Sequence, residues 1–238
     1  MKIVTKLFVA LGLLAFVCKA GAKEQIVVET GSTSLVFTVG DNGRLYQSYF
    51  GKRLTDKSEY AMLPQGKEAY MTHGMEDYFE PALHITRSDG NPSTLLKYKR
   101  HETKACDGGT ETVIYHADEV AMHFVAYAKE DVFKAWTEIF NREKSAITLE
   151  KYASSMLHMY APKYYLTQYN GDWATEAGSH TQELYFGKKV IDTKLGARAD
   201  MFCQPFFQLS LGSKATEREG EVLVGTLAWT GNFRFTFE

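Results

Sequence analysis

Val120-Ala121-Met122-His123-Phe124-Val125-Ala126-Tyr127 is followed by the polar break Lys129-Glu130-Asp131 and then by Val132-Phe133-Lys134-Ala135-Trp136-Thr137-Glu138-Ile139-Phe140. Both runs are rich in β-branched and aromatic side chains, which suit a pleated, half-buried surface. In the second run Phe133, Ala135, Thr137 and Ile139 fall on one face, and Lys134, Trp136, Glu138 and Phe140 on the other. Side chains alternate across a strand with a period of two, so this pattern predicts two neighbouring strands rather than a helix.

The same grammar extends in both directions. Strand-like runs occupy Leu95 to His101, Thr112 to His116 and Ala146 to Tyr152, with turn signals at Asp107-Gly108-Gly109 and Asn141-Arg142-Glu143. Upstream, Gln25 to Glu29 and Ser34 to Val39 flank the break Gly31-Ser32. Asp41-Asn42-Gly43 then joins Ser34 to Val39 with Arg44 to Phe50 as a hairpin. Gly51 to Gly74 is polar, irregular and long, the kind of loop that is functional or mobile. Leu83 to Thr86 follows as a strand, and Ser88-Asp89-Gly90-Asn91-Pro92 as a turn. At the other end Phe233, Phe235 and Phe237 alternate with Arg234, Thr236 and Glu238. No segment has helical periodicity, and there is no internal repeat. Strand centres spaced by roughly ten to fifteen residues predict an all-β chain, a large antiparallel sandwich or barrel.

Composition agrees. The 238 residues include 15 Phe, 14 Tyr and 3 Trp, and they suffice for a substantial core. A net charge of −2 supplies no electrostatic case for a nucleic acid or an anionic membrane as partner. Residues 1–22 read as a signal peptide: Lys2 and Lys6 precede the apolar run Leu7 to Val17, and Ala20-Gly21-Ala22 matches a small-x-small cleavage site. The expected protein is therefore exported, periplasmic or extracellular, and residues 23–238 form its mature domain. Cys18 raises a lipoprotein alternative, which the bulky Phe16 and Val17 disfavour. Cys106 and Cys203 remain after cleavage. Export permits a disulfide between them, and two independent thiols fit equally well. The strand pattern runs up to Glu238, which suggests an edge strand or, as the preferred reading, a longer protein cut short.

Candidate chemistry is sparse. His73, His84, His116 and His123 have no metal-ligand spacing, and no zinc-type cysteine pattern exists. Ser154-Ser155 lacks a nucleophile elbow, and no glycine-rich phosphate loop is present. Glu76, Asp77 and Glu80 form an acidic group that reads as solvated loop carboxylates rather than a catalytic pair. No cofactor is expected. The most distinctive sequence lies between Tyr165 and Glu238, where Gly171-Asp172-Trp173-Ala174, Pro205-Phe206-Phe207-Gln208-Leu209, Gly220-Glu221-Val222 and Leu227-Ala228-Trp229-Thr230-Gly231-Asn232-Phe233 set rings beside glycines. Rings give rigid faces and glycines let backbone pass close by, so the stretch describes a surface.

Those segments, with Tyr169-Asn170 before and Thr175-Glu176 after the first of them, resemble the N-terminal domain of family-36 glycoside hydrolases, the α-galactosidases. Asp77-Tyr78-Phe79-Glu80-Pro81-Ala82-Leu83 is similar to the family's Asp-Phe-Arg-x-Pro-Ala segment, and Tyr127 through Ser154 to its long central strands. The resemblance implies an antiparallel β-supersandwich similar to galactose mutarotase, followed in the family by a (β/α)₈ barrel and a small β domain. It implies a retaining hydrolase whose two catalytic aspartates sit in the barrel, so that this sequence holds no catalytic residue. It also implies a homo-oligomer, in which the Asp-Phe-Arg segment reaches a neighbour's active site. Asp77 and Tyr78 are then the expected substrate-binding residues, by hydroxyl acceptance and sugar stacking, while Phe79 stands where the family commonly has Arg. Trp173 and Trp229 are expected to pack against the barrel, with a sugar platform as the other reading. Two further functions are weighed: a free-standing carbohydrate-binding module, and a mutarotase-like epimerase that needs a His beside a carboxylate in a pocket.

Overall fold

The structure, a computed structural model, describes residues 23–75, 79–198 and 202–238. It is an all-β, antiparallel supersandwich built around two apolar cores.

The first core lies between two four-stranded sheets. One contains β1 (Gln25–Glu29), β2 (Thr33–Val39), β3 (Leu45–Lys52) and β4 (Lys67–Glu68) in that spatial order. The other contains β6 (Tyr98–Cys106), β7 (Gly109–His116), β8 (Val120–Tyr127) and β9 (Val132–Ile139), also in sequence order. Such meanders follow from short turns: Asp41-Asn42-Gly43, with Gly43 at φ +77°, joins β2 to β3, and Cys106 pairs with Gly109 across the Asp107-Gly108 turn. The inward residues alternate as expected. Phe37 of β2 meets Phe124 of β8 at 5.1 Å, and Ile114, Val120, Met122 and Ala126 complete the same layer. β5 (Leu83–Thr86) pairs with β10 (Thr148–Tyr152) and contributes Leu83 and Ile85 to this core.

The Gly51 to Gly74 region is not the uninterrupted loop that its polarity predicts. It contains β4 and a short helix, α1 (Lys57–Ala61), started by a capping box in which Asp56 accepts from the Ser58 amide. The Asp56-to-Glu59 spacing carries that signal, whereas a single turn is too short to show periodicity. Strand β6 begins at Tyr98 rather than Leu95, because Leu96 is buried by an irregular segment.

The second core belongs to β11 (Tyr164–Gly171), β12 (Gly178–Glu183), β14 (Phe202–Leu211) and β15 (Glu221–Thr226), ordered β12-β11-β14-β15, and to the pair β13 (Lys189–Thr193) with β16 (Phe233–Phe237). Leu166, Leu209, Ile191 and Phe233 form its centre. Phe207 packs edge-on against Phe235 and Phe237 at 5.0 and 4.9 Å, so the alternating phenylalanines of β16 do face inward. Pro205 lies inside β14, where the register with β11 shifts between Gln168 and Asn170. A proline cannot donate to a ladder, and this bulge is where a strand tolerates one.

Side chains of the first sandwich anchor the segment that runs from β10 to β11. Gln47 of β3 donates to the His158 carbonyl at 2.6 Å and accepts from its amide at 3.0 Å, while the Tyr70 hydroxyl donates to the Ala153 carbonyl. Cys106 and Cys203 are free thiols.

Candidate functional site

A cavity of about 510 Å³ opens at one end of the second sandwich. Asn170 at the end of β11, Asp192 and Thr193 of β13, Leu195 after it, and Phe202 and Cys203 of β14 line it. Gly171 pairs with Phe202 across the ladder, which places the following turn, with Trp173, at the same end. That turn is shaped by Asp172, whose carboxylate accepts from the Trp173 amide at 2.7 Å. Trp173 is 86 % exposed and Trp229 is 62 % exposed. Leu195 and Phe202 add further apolar surface.

Trp229 is exposed yet fixed. Its Nε1 donates to the Asn232 carbonyl at 3.1 Å, and the indole lies over Gly231, where a Cβ would come within 2.5 Å of Nε1. The loop holding it is stitched to the one after β13: Ala197 donates to the Thr230 carbonyl at 3.0 Å, and Gly196 to the Asn232 side chain at 3.1 Å. A ring whose polar atom is already paired, held with its face open, is built for packing or stacking. Asp192, the one carboxylate among the described residues lining the cavity, is engaged by Arg234 of β16 at 3.0 Å. Burial raises the Cys203 thiol above its ordinary value, which disfavours the thiolate. Among the described residues lining it there is no nucleophile with a base beside it.

Asp77 and Tyr78, the expected substrate-binding residues, lie outside the described residues. Their flanks are firmly held. Gly74, at φ +83°, sits so close to Ser93 that a Cβ would meet Oγ at 2.5 Å, and the imidazoles of His73 and His84 stack at 3.9 Å. On the other side the Lys67 ammonium lies 3.5 Å over the Phe79 ring. Glu80 then joins Lys151 of β10 and Lys188 just before β13, and its amide donates to the Glu238 carboxylate at 2.8 Å. Hydrogen bonds from Lys151 and Lys188 hold the Glu80 carboxyl down to about 2. A carboxylate that stays ionised and doubly paired clamps the chain; it is no proton donor. Sequence reasoning missed this clamp, because partners separated by 71 and 108 positions leave no local signal.

Lys188 and Glu238 stand at the end of the β13–β16 pair where Lys189 meets Phe237. Leu195 and Trp229 stand at the opposite end, where Thr193 meets Phe233. The structure therefore does not bring the flanks of Asp77 and Tyr78 together with the two exposed tryptophans. They are two separate features of one sandwich.

The histidines are structural in their contacts. His116 is buried, with Nε2 3.1 Å from the Met122 sulfur, and burial lowers its pKa to about 4. His123 does lie beside a carboxylate, 3.0 Å from Glu111, but it is stacked under Trp136 at 4.5 Å and does not line the cavity. Among the described residues no group of three or more His, Cys, Asp or Glu side chains is placed to hold a metal ion.

Comparison with known proteins places these features. The sequence pattern of the glycosyl hydrolase family 36 N-terminal domain matches residues 43–238. Among curated proteins, "Alpha-galactosidase 2" of Hypocrea jecorina is 26% identical over 184 residues, covering 69% of this chain and 24% of that protein. "Alpha-galactosidase C" of Emericella nidulans is 24% identical over 186 residues, covering 70% and 24%. The chain thus spans about a quarter of the length of these relatives. Among solved structures, an α-galactosidase from Lactobacillus brevis superimposes with a TM-score of 0.78 at 20% identity, over 90% of this chain and 34% of that one. A family-36 α-galactosidase of Geobacillus stearothermophilus, solved in complex with raffinose, does so with 0.77 at 21%, over 90% and 35%.

Proposed function

Since this chain belongs to the family of glycosyl hydrolase family 36 N-terminal domains, we propose that it is the non-catalytic, substrate-shaping portion of an exported α-galactosidase. The observation that carries the proposal is the end of the second sandwich, where Leu195 and Phe202 line a cavity and Trp173 and Trp229 stand exposed on neighbouring loops. Exposed apolar patches of this kind mark contacts with another protein surface. The surface receives a (β/α)₈ barrel, with Trp173 and Trp229 as its anchors. The barrel carries the two aspartates of a retaining mechanism, held about 5–5.5 Å apart so that one attacks the anomeric carbon directly. The whole enzyme removes terminal α-D-galactosyl residues from oligosaccharides.

In a homo-oligomer of that enzyme, Asp77 and Tyr78 reach a neighbouring active site, where the carboxylate accepts sugar hydroxyls and the ring stacks on a pyranose. The clamp at Glu80 and the stack of Lys67 on Phe79 support this reading, since they fix the segment at its base. Phe79 brings no charge to a position where the family commonly has Arg, but the Lys67 ammonium supplies a cation at its ring.

The test separates the parts. The purified chain is expected to give no turnover of an aryl α-galactoside, and to restore turnover when mixed with a separately produced barrel. Hydrolysis by this chain alone would overturn the assignment. The exposure of Trp173 also favours a second reading, a free-standing carbohydrate-binding module. Saturable quenching of Trp emission by galactose, lost in Trp173→Ala, would select that reading.

A further inference from the structure

A second, smaller cavity of about 120 Å³ opens at the end of the β6–β9 sheet, remote in sequence from the residues considered above. Lys99 and Arg100 of β6, Tyr115 of β7, Ala117 and Asp118 of the turn between β7 and β8, Val120, Phe140 and Arg142 line it. Its volume exceeds what a single water requires. Cations from two separate segments converge there, and both arginines are held by rings. The Arg100 guanidinium lies 3.8 Å over the ring of Tyr115, its cross-strand partner, and that of Arg142 lies 4.9 Å over Phe140.

Arg142 is the distinctive member. Its Nε donates to the Asp118 carbonyl at 2.6 Å, which orients the planar fork, while its two terminal amino groups have no protein acceptor among the described residues. The Asp118 carboxylate acts on it at a distance, and the nearby carboxylates make their close pairs with other cations. Asp118 pairs with Lys99 at 2.6 Å, Glu102 with Arg100, and Glu119 and Glu143 both with Arg87 at 2.9 and 3.0 Å. Four cations and four carboxylates balance over this cluster, so the pocket does not offer a strong field. It offers a directed, solvent-exposed guanidinium fork without a close carboxylate, the geometry that matches carboxylate, sulfate and phosphate oxygens. The ionised Asp118 side chain lines the same cavity, and Lys99 stands against it.

We infer that this pocket is a weak oxyanion site, in which Arg142 grips a carboxylate, sulfate or phosphate group and Arg100 turns from Glu102 to share it. The group is supplied either by a free inorganic anion or by an acidic sugar, and only the latter would add a saccharide contact to the chain.

Amide NMR titration of the full chain at constant ionic strength tests this, with sulfate, galacturonate and uncharged galactose as the probes. Saturable shifts at Ala117 to Val120 and at Arg142, with a dissociation constant on the order of millimolar, are expected for sulfate and galacturonate. Comparable affinities identify a free-anion site, and binding of galacturonate at least about tenfold tighter than sulfate identifies a sugar-borne one. Arg142→Gln is expected to weaken binding about tenfold or more, Arg100→Gln less, and Arg142→Lys to recover part of the loss. Absence of saturation, identical titration of Arg142→Gln, or equal shifts with galactose would overturn the inference.

Discussion

Glu80 and Lys188 meet as an ion pair across 108 positions of sequence, and with Lys151 and Glu238 they bind the segment leading out of the Asp77-Tyr78 region to the far end of the second sandwich. The clamp brings together the polar chain between β4 and β5 and the two strands that close the second core. Its strength depends on Glu80 being ionised.

Glu80→Gln is therefore expected to lower stability by about 1 kcal/mol at neutral pH, since the pairs are partly solvated and each contributes little. The folded-state carboxyl is held at about 2, below its ordinary value of 4.5, so its contribution is complete above the ordinary value. It is lost as pH falls from about 4.5 to about 2. Urea denaturation of both proteins at pH 7 and pH 3 should show the difference narrowing at the lower pH. A constant difference would argue that the clamp acts through packing.

His116 has the opposite charge behaviour and the same direction with pH. Buried beneath the first sheet, it is lowered from 6.5 to about 4 by desolvation alone, so folding favours its neutral form. Below pH 6.5 the unfolded chain takes up a proton that the folded one refuses, and stability falls until pH reaches about 4. The span corresponds to about 3 kcal/mol. His116→Leu should flatten this part of the stability–pH curve, whatever its effect on stability at pH 8.

Gly231 should control Trp229 without touching the core. An added Cβ at 2.5 Å from the indole Nε1 displaces the ring. Gly231→Ala is expected to weaken association with the separately produced barrel about tenfold or more, as Trp229→Ala does, because anchoring rings dominate such interfaces. Thermal unfolding of the two variants should remain near that of the parent. Trp173→Ala should leave stability within about 0.5 kcal/mol, since its side chain is almost wholly exposed.

Gly66→Ala serves as the contrast. Its φ is +76°, and a Cβ would lie 1.9 Å from the Gln47 carbonyl oxygen, a backbone atom that cannot step aside. A loss of about 3 kcal/mol or more is expected by urea denaturation. Gln47 also holds both backbone groups of His158, so the segment between β10 and β11 should loosen with it.

Local signals were legible where one residue type has one physical use. Asn42-Gly43 marked its hairpin because a tight turn there needs a left-handed residue, and β8 was readable to its ends because every inward position is apolar. The capping box at Asp56 was present in the sequence but could not outweigh the surrounding polarity. Leu95-Leu96 looked like strand and is not, because burial of Leu96 reports only that the core is near.

The sequence by itself determined the all-β class, most strand positions, the inward face of β16 and the family to which the motifs point, because alternation, turn chemistry and rare ring–glycine pairs are written locally. Only the tertiary structure decided how those pieces are grouped: two cores instead of one list of strands, and a Glu80 clamp made by residues far apart. It alone held Trp229 rigid in the open and set it at the opposite end of β13 and β16 from the clamp. Such groupings come from strand pairing and ion pairing at long range, whose energies depend on distance in space and leave no periodicity in the chain.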